Sequence, residues 1–162
     1  CIRRIIMNIK KLNPNAIIPT RGSEQAAGWD LYASNVPNTW GCNGENNWTI
    51  SVEPGATVKI GTGIAIELPN TTFGGIYPRS GLATKQGLAP ANKVGVIDSD
   101  YRGEVIVALH NHSCERQQIS YGDRIAQLIV QPYLSVDLKV VDELGSTKRG
   151  DGGFGSSGKL LV

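Results

Sequence analysis

The segment VGVIDSDYRGEV carries two acidic residues, Asp98 and Asp100, and one tyrosine, Tyr101, between two glycines. A carboxylate beside bound phosphate can act as a general base that activates water, and a tyrosine ring can pack on a sugar. The same residues also suit a polar turn between two strands, with Asp100 as the turn former. The residues alone leave both interpretations open.

A second candidate is the segment YPRSGLA. Arg79 supplies a guanidinium fork, Ser80 a hydroxyl group and Gly81 a backbone amide without a neighbouring Cβ. This combination suits phosphate oxygens. The alternative is a turn from a strand into a helix, in which Ser80 is the N-cap.

Two further segments place polar residues among apolar ones. AAGWDLYAS puts Asp30 after Gly28 in a strand-like run, where its carboxylate could face a hydrated magnesium ion or cap a turn. In GDRIAQLIV, strand alternation directs Arg124 and Gln127 to different faces. A buried Gln127 would need a backbone or ligand partner.

The glycine-rich tail contains GFGSSGK, which fits the phosphate-binding pattern G-x-x-x-x-G-K. A true P-loop carries Ser or Thr after the lysine and opens a helix, whereas Lys159 precedes Leu160 and too few residues for a helix. Glycine and serine can still turn several N–H groups toward one anion, with Arg149 as a charged donor and Phe154 as the only large apolar side chain. A disordered terminus is the competing interpretation.

Two short patterns have weaker support. Residues 149–151 spell RGD, an adhesion-receptor tripeptide, but little else in the sequence indicates secretion. His110 and His112 lie on one face of a predicted strand, a spacing compatible with a metal pair, but no third ligand is evident. Ordinary surface histidines are the simpler interpretation.

Length and composition restrict the class of protein. The 162 residues (17.3 kDa) predict one domain, and a net charge of +2 argues against recruitment to nucleic acid or membranes by bulk electrostatics. No apolar run reaches transmembrane length. The three cysteines are widely spaced, which favours a reducing compartment over a disulfide framework: the cytoplasm, or the nucleus if the source is eukaryotic or viral.

The elements that must position these residues are predicted to be short strands. Runs such as WTISVEP, ATVKIGTGIAIELP, KVGVID, GEVIVALHNHS, RIAQLIVQPY and VDLKVV lie between Gly, Pro and Asn residues, and several alternate apolar with polar residues. The best helix candidate is the short run SGLATKQG. This pattern predicts an all-β sandwich or barrel.

Five segments, taken in order, resemble the five motifs of the homotrimeric deoxyuridine triphosphatase (dUTPase) family: AGWDLYA, PRSGLA, GVIDSDYRGE, GDRIAQLI and RGDGGFGSSG. The resemblance runs from about Ile17 to Gly158. It implies an all-β jelly roll over residues 1–144 and a flexible Gly-rich arm over residues 145–162. The arm would close over the active site of a neighbouring subunit in a homotrimer with shared active sites.

The resemblance also implies a reaction, the hydrolysis of dUTP to dUMP and pyrophosphate with Mg²⁺. Asp98 would orient and activate the water that attacks the α-phosphorus, and Asp30 would hold the hydrated metal through water. The residues expected to contact phosphate oxygens are Arg79, Ser80, Gly81 and Gln127.

Sugar and base contacts carry over by the same resemblance. Tyr101 would stack on the deoxyribose and leave no room for a 2′-hydroxyl. Main-chain groups that fit uracil would be left unpaired opposite cytosine, which is costly. The residues expected around the uracil are Asn92, Gly95, Val96, Ile97 and Ile106.

In the arm, Arg149 would clasp the γ-phosphate together with the run Gly155, Ser156, Ser157 and Gly158, and Phe154 would cover the uracil. Ser157 stands where the family commonly has Thr, a change that keeps the hydroxyl. The segment 37–48 is longer than in compact members of the family and is predicted to be a surface loop, either without function or presenting Trp40 and Trp48 to a partner.

Two rival interpretations remain. The related dCTP deaminase family shares the fold and an Arg-Ser motif, but it lacks the DYRG arrangement around Tyr101. A binding module on the dUTPase scaffold is the other rival, although the expected catalytic groups are present here.

Overall fold

The computed structural model describes residues 6–34 and 47–153, and within these ranges the regular structure is β-strand apart from one short helix. Short strands alternate with turns that contain Gly, Pro or Asn, as the punctuation of the sequence predicts. The elements are β1 Asn8–Lys11, β2 Trp29–Tyr32, β3 Thr49–Val52, β4 Thr57–Gly61, β5 Ile64–Glu67, β6 Thr72–Tyr77, α1 Ser80–Gln86, β7 Leu88–Pro90, β8 Gly95–Ile97, β9 Ile106–Asn111, β10 Gln117–Ser120 and β11 Arg124–Pro132.

The strands form antiparallel pairs that lie far apart in sequence. The largest sheet has the order β2-β11-β6-β8, and a second sheet has the order β4-β9-β7. Two smaller sheets pair β1 with β5 and β3 with β10. These non-consecutive neighbours make the jelly roll, and the predicted all-β jelly-roll class is confirmed.

The core lies between the sheets and consists of the inward-facing apolar residues of the alternating strands. Burial of such side chains is the main favourable term in folding. The largest completely buried members are Leu31, Ile60, Ile64, Leu88, Leu109, Ile119, Ile125 and Leu128. Because β2, β6 and β11 are anchored in this core, the polar residues at their ends are held on a rigid frame.

The structure confirms the one predicted helix and contradicts one of the predicted strands. The short helix is confirmed as α1, which ends at Gly87 in the left-handed conformation, φ 68°. The run VDLKVV was predicted as a strand, but residues 136–141 form none and are exposed. In the described chain that segment has no neighbouring strand, and without one a strand cannot satisfy its backbone groups.

The segment 94–105 was expected to place a polar turn between two strands, and the two strands on either side of it do not pair with each other. Its first strand, β8, pairs with β6, whereas β9, which follows it, pairs with β4 and β7. The connection between them therefore passes from one sheet to another, so it is held at both ends by different parts of the core.

Candidate active site

Three charged side chains meet at one end of the largest sheet. Asp30 on β2 accepts a bond from Arg79 Nε at 2.9 Å through Oδ1 and one from Arg124 at 3.3 Å through Oδ2. The side chain of Asp30 is 13% exposed and that of Arg79 is 27% exposed. The carboxylate thus fixes two guanidinium groups that carry a net positive charge, an arrangement suited to a polyanion.

Gln127 joins this cluster through strand register. It lies opposite Asp30 on one side and opposite Tyr77 on the other. Its Nε2 donates to the carbonyl of Pro78 at 2.9 Å, which is the backbone partner that a half-buried glutamine needs. Gly28 permits this position, because a Cβ there would lie 2.7 Å from Gln127 Oε1.

The start of α1 lies beside the cluster. Arg79 is the N-cap residue and makes no side-chain cap bond, so the alternative in which Ser80 caps the helix is wrong. Ser80 and Gly81 are exposed, and a Cβ on Gly81 would meet nothing within 4 Å. A cavity of about 370 Å³ opens here, and Lys85 lines it together with both arginines.

Arg124 and Lys85 were not expected as site residues from the sequence. Arg124 lies in the segment GDRIAQLIV. For that segment, strand alternation predicted only that the side chains of Arg124 and Gln127 point to different faces. Its contact with Asp30 depends on a register shift between Arg124 and Ala126 in the pairing of β2 with β11. Such a bulge redirects a side chain and is not visible in an apolar-polar pattern.

The loop between β8 and β9 holds the second group of predicted residues. Asp98 and Tyr101 are both exposed, and a turn joins them through the bond from Tyr101 N to Asp98 O at 3.1 Å. Arg102 braces the turn by donating to the carbonyl of Ser99 at 2.7 Å, and it pairs with Glu67 at 3.3 Å. The pKa of Glu67 is lowered mainly by a hydrogen bond from the side chain of Asn8, and secondly by the positive charge of Arg102.

The predicted uracil residues surround strand β8. This strand is at the edge of its sheet, so half of its main-chain groups are free to pair with a ligand. Val96 on this strand is 60% exposed, and Ile106 is also exposed. Gly95 is buried beside Asn92, whose Nδ2 would lie 3.1 Å from a Cβ on that glycine. Ile97 is half-buried.

The two groups lie at opposite ends of the same sheet. Arg79 comes shortly after the end of β6, whereas Asp98 directly follows Ile97, which pairs with Gly74 near the start of β6. With about 3.3 Å per residue and 4.8 Å per strand, the backbones of Asp30 and Asp98 are roughly 19 Å apart. One chain therefore does not bring these two residues together.

The beginning of the C-terminal segment is exposed and bonds only locally. Arg149 Nε donates to the carbonyl of Gly152 at 2.8 Å, and Gly150 N donates to Thr147. The other predicted arm residues, Phe154, Gly155, Ser156 and Ser157, lie outside the described residues. Their contacts with nucleotide stay a prediction.

Several other features bear on the sequence interpretations. Trp48 is half-buried and packs edge-on against Tyr121, with ring centroids 6.5 Å apart, and Trp40 lies outside the described residues, so presentation of the two tryptophans to a partner stays a prediction. The rings of His110 and His112 are 4.4 Å apart, but within residues 6–34 and 47–153 no three potential ligands group as a metal site.

None of the helices in those ranges is long and apolar enough to span a membrane.

The fold and this cluster define the class: an all-β jelly-roll protein with paired arginines at one sheet end and an exposed acid-tyrosine loop at the other. The family model for dUTPase matches residues 43–158. The chain belongs to the dUTPase family, as its five motifs predict.

Curated relatives support the same assignment over nearly the whole chain. Deoxyuridine 5'-triphosphate nucleotidohydrolase of Nautilia profundicola is 42% identical over 94% of this chain and 99% of its own length. The enzyme of the same name from Candida albicans is 43% identical over 91% of this chain and 84% of its own length.

Solved structures share the fold. A mutant dUTPase of Staphylococcus bacteriophage 80alpha with dUpNHpp has a TM-score of 0.78 and 27% identity, with 94% of this chain and 98% of that chain covered. A mutant dUTPase of phage phi11 of S. aureus, which coordinates a structural Mg(II) ion, has a TM-score of 0.71 and 24% identity over 86% of this chain and 98% of its own.

Proposed function

We propose that this protein hydrolyses dUTP to dUMP and pyrophosphate by attack of water on the α-phosphorus. Family membership carries the proposal, together with the paired arginines that Asp30 holds at 2.9 and 3.3 Å. The reaction limits uracil incorporation into DNA and supplies dUMP for thymidylate synthesis.

The polyphosphate would bind at the arginine cluster. Arg79, Ser80, Gly81 and Gln127 would contact its oxygens, and the guanidinium of Arg124 adds a charge on the same side. Positioning and charge stabilisation do most of the work in phosphoryl transfer. Two fixed guanidinium groups are suited to both, because Asp30 orders them before the substrate arrives.

The base, the sugar and the attacking water would be handled by the loop between β8 and β9 and by the free edge of β8. Asp98 would accept the proton of the water, since its carboxylate is exposed. Tyr101 would carry the deoxyribose. The outward main-chain groups of β8 would read uracil, and Asn92 would add a side-chain contact.

The arginine contacts of Asp30 favour a hydrated magnesium ion at this site. Both carboxylate oxygens of Asp30 already accept bonds from arginines, so this residue would reach the ion through water and the triphosphate would supply direct oxygen ligands. The bound ion would neutralise charge on the phosphate oxygens.

Cysteine chemistry bears on the proposed compartment. Within the described ranges Cys114 is free and exposed. An exposed thiol persists in a reducing compartment, which supports the proposed cytoplasmic location.

Each complete site would combine residues from different subunits. Asp30 and Asp98 must act on one triphosphate, yet roughly 19 Å separates their backbones along the sheet. A neighbouring copy can supply the second group if its loop between β8 and β9 faces the arginine cluster. This supports the proposed homotrimer with shared sites.

The segment after β11 supports association with a second copy. Every second residue between positions 134 and 140 is apolar, and the side chains of these residues are between 71% and 97% exposed: Leu134, Val136, Leu138 and Val140. This row, which we call the apolar stripe, has the period of a strand with one buried face. The chain also carries an apolar groove of about 500 Å³ that includes Ile9 and Trp29. We also propose residues 1–144, which include this stripe, as the β domain and the Gly-rich residues 145–162 as the arm.

Hybrid oligomers test the shared site. Arg79→Ala and Asp98→Asn each should be nearly inactive, whereas co-expressed chains purified through two different tags should regain activity. A mixed trimer has one site that takes an intact Asp98 from one subunit and an intact Arg79 from the next. Pyrophosphate release by the hybrids is the measurement.

A matched pair provides the control for this experiment. Asp98→Asn and Tyr101→Ala change the same loop, so their hybrids contain no site with both groups intact and should gain nothing. If the hybrids of Arg79→Ala and Asp98→Asn also gain nothing, each site is built within one chain and the shared-site proposal is wrong.

A substrate panel tests the activity itself. Pyrophosphate release should be fastest from dUTP and far slower from dCTP, dTTP and UTP, since each of these would leave unpaired groups or clash at the base or sugar. Equal rates on all four would remove the specificity argument, and ammonia release from dCTP would indicate a deaminase.

A further inference from the structure

The ring of Tyr101 lies against Gly103, two residues further along the same loop. A Cβ on Gly103 would lie 2.5 Å from Cζ and 3.0 Å from Cε2 of the tyrosine, and closer still to the phenol oxygen. Carbon atoms pack at about 3.5–4.0 Å, so the ring occupies the space that any other residue would fill. The absent side chain of Gly103 therefore determines where the ring can lie.

A hydrogen bond holds the ring in that place. The hydroxyl of Tyr101 donates to the carbonyl of Glu104 at 3.2 Å. The ring is thus held at its phenol end, by the bond to Glu104 and by the close approach of Gly103. Its other side stays open, since the residue is 44% exposed.

The backbone that follows Gly103 is hydrogen-bonded to the core. Glu104 Oε1 accepts the N–H of Gly63 at 2.8 Å, and the next residue, Val105, is fully buried. Val105 donates its N–H to Ile64 at 2.9 Å, and its carbonyl accepts the hydroxyl of Thr62 at 2.6 Å. These bonds hold the backbone after Gly103 on the turn between β4 and β5.

A methyl group on Gly103 would therefore displace the ring rather than the backbone. The tyrosine side chain can turn toward its open side, whereas Glu104 and Val105 are bonded to buried groups. The backbone of Gly103 itself is outside the left-handed region, so alanine adds no backbone strain.

We propose that Gly103 is a specificity-determining positioning residue: by leaving room for the phenol end of Tyr101 it sets where the ring lies against the sugar, and so the rejection of a 2′-hydroxyl. The inference rests on the proposed role of Tyr101 as the surface that receives the deoxyribose. Gly103 acts through the tyrosine and does not touch the nucleotide.

The test compares kcat/KM for dUTP and UTP in the full-length enzyme. Gly103→Ala should lower the dUTP:UTP ratio by about tenfold or more, the order of effect of one misplaced methylene in a pocket. It should raise KM for dUTP with little change in kcat, because the sugar contact is made in both ground and transition states. Gly22→Ala is the control, since a Cβ on this exposed glycine would meet nothing within 4 Å, and its ratio should equal that of the wild type.

Tyr101→Ala and the double variant separate the possible failures. Tyr101→Ala should lower the ratio, and adding Gly103→Ala should change it no further, because the ring is already gone. If Tyr101→Ala leaves the ratio unchanged, the sugar role of Tyr101 is wrong and this inference falls with it. If Tyr101→Ala lowers the ratio but Gly103→Ala does not, only this inference is wrong, and a further loss in the double variant also contradicts it.

A second variant keeps the test open if Gly103→Ala does not fold. Tyr101→Phe keeps the ring but loses the bond to the Glu104 carbonyl that holds it on Gly103. This variant should also lower the dUTP:UTP ratio, by a smaller factor. A ratio equal to that of the wild type would contradict the part of the inference in which this bond holds the ring against Gly103.

Discussion

Asp98→Asn is expected to bind dUTP about as tightly as the wild type and to hydrolyse it about 10²–10⁴ times more slowly, the usual contribution of a general base. Asparagine keeps the shape of the side chain but cannot accept a proton from water at neutral pH. The side chain is exposed on a loop, so the fold should not change. Single-turnover hydrolysis and nucleotide binding measured separately would show the effect.

Asp100 offers a matched control for this prediction. It is an exposed acid two residues further along the same loop, and Asp100→Asn removes the same charge. Its rate should stay within a few-fold of the wild type. Hydrolysis by Asp98→Asn at a near-normal rate would assign the base to another group.

Removal of residues 149–162 is expected to leave a folded oligomer whose kcat is lower by about 10²-fold or more, the order of magnitude seen when one charge-stabilising donor is lost. The deletion removes Arg149 and the glycine-serine run that would clasp the γ-phosphate. The described part of the deleted segment is largely exposed, and among the described residues its hydrogen bonds lie within residues 147–152, so its removal breaks none with the described core.

The deletion can be checked by sedimentation and by steady-state hydrolysis of dUTP. Sedimentation should show an oligomer with the same number of subunits as the full-length enzyme, and the hydrolysis assay should show a large loss of kcat. Arg149→Ala in the full-length chain should reproduce part of the loss. A truncated enzyme with full kcat would contradict the proposed role of the arm.

Local patterns predicted much of the fold. The strands that alternate or follow Gly and Pro were expected, and α1 was expected over the run SGLATKQG, which ends with Gly87. The pairing of the strands was not predicted, because β8 and β9 join different sheets and their partners lie far away in the sequence. A local pattern determines which face of a strand is apolar but not which strand lies beside it.

The candidate site was predicted mainly through the motifs. Arg79, Asp30 and Gln127 come from three separate segments, and only the register of β2 with β11 and β6 explains why they meet. The contact of Arg124 with Asp30 escaped prediction because it follows from a register shift. Likewise, the closeness of Gly103 to the Tyr101 ring depends on a side-chain rotamer.

The apolar stripe has a consequence for the newly made chain. Alternating, fully exposed apolar residues in an extended segment can add to a foreign strand edge, which is how many proteins begin to aggregate. Correct assembly must therefore compete with misassembly for the same surface, and both speed up as chains accumulate. We expect the yield of native enzyme during refolding to depend on protein concentration and to fall when partially folded chains outnumber native partners.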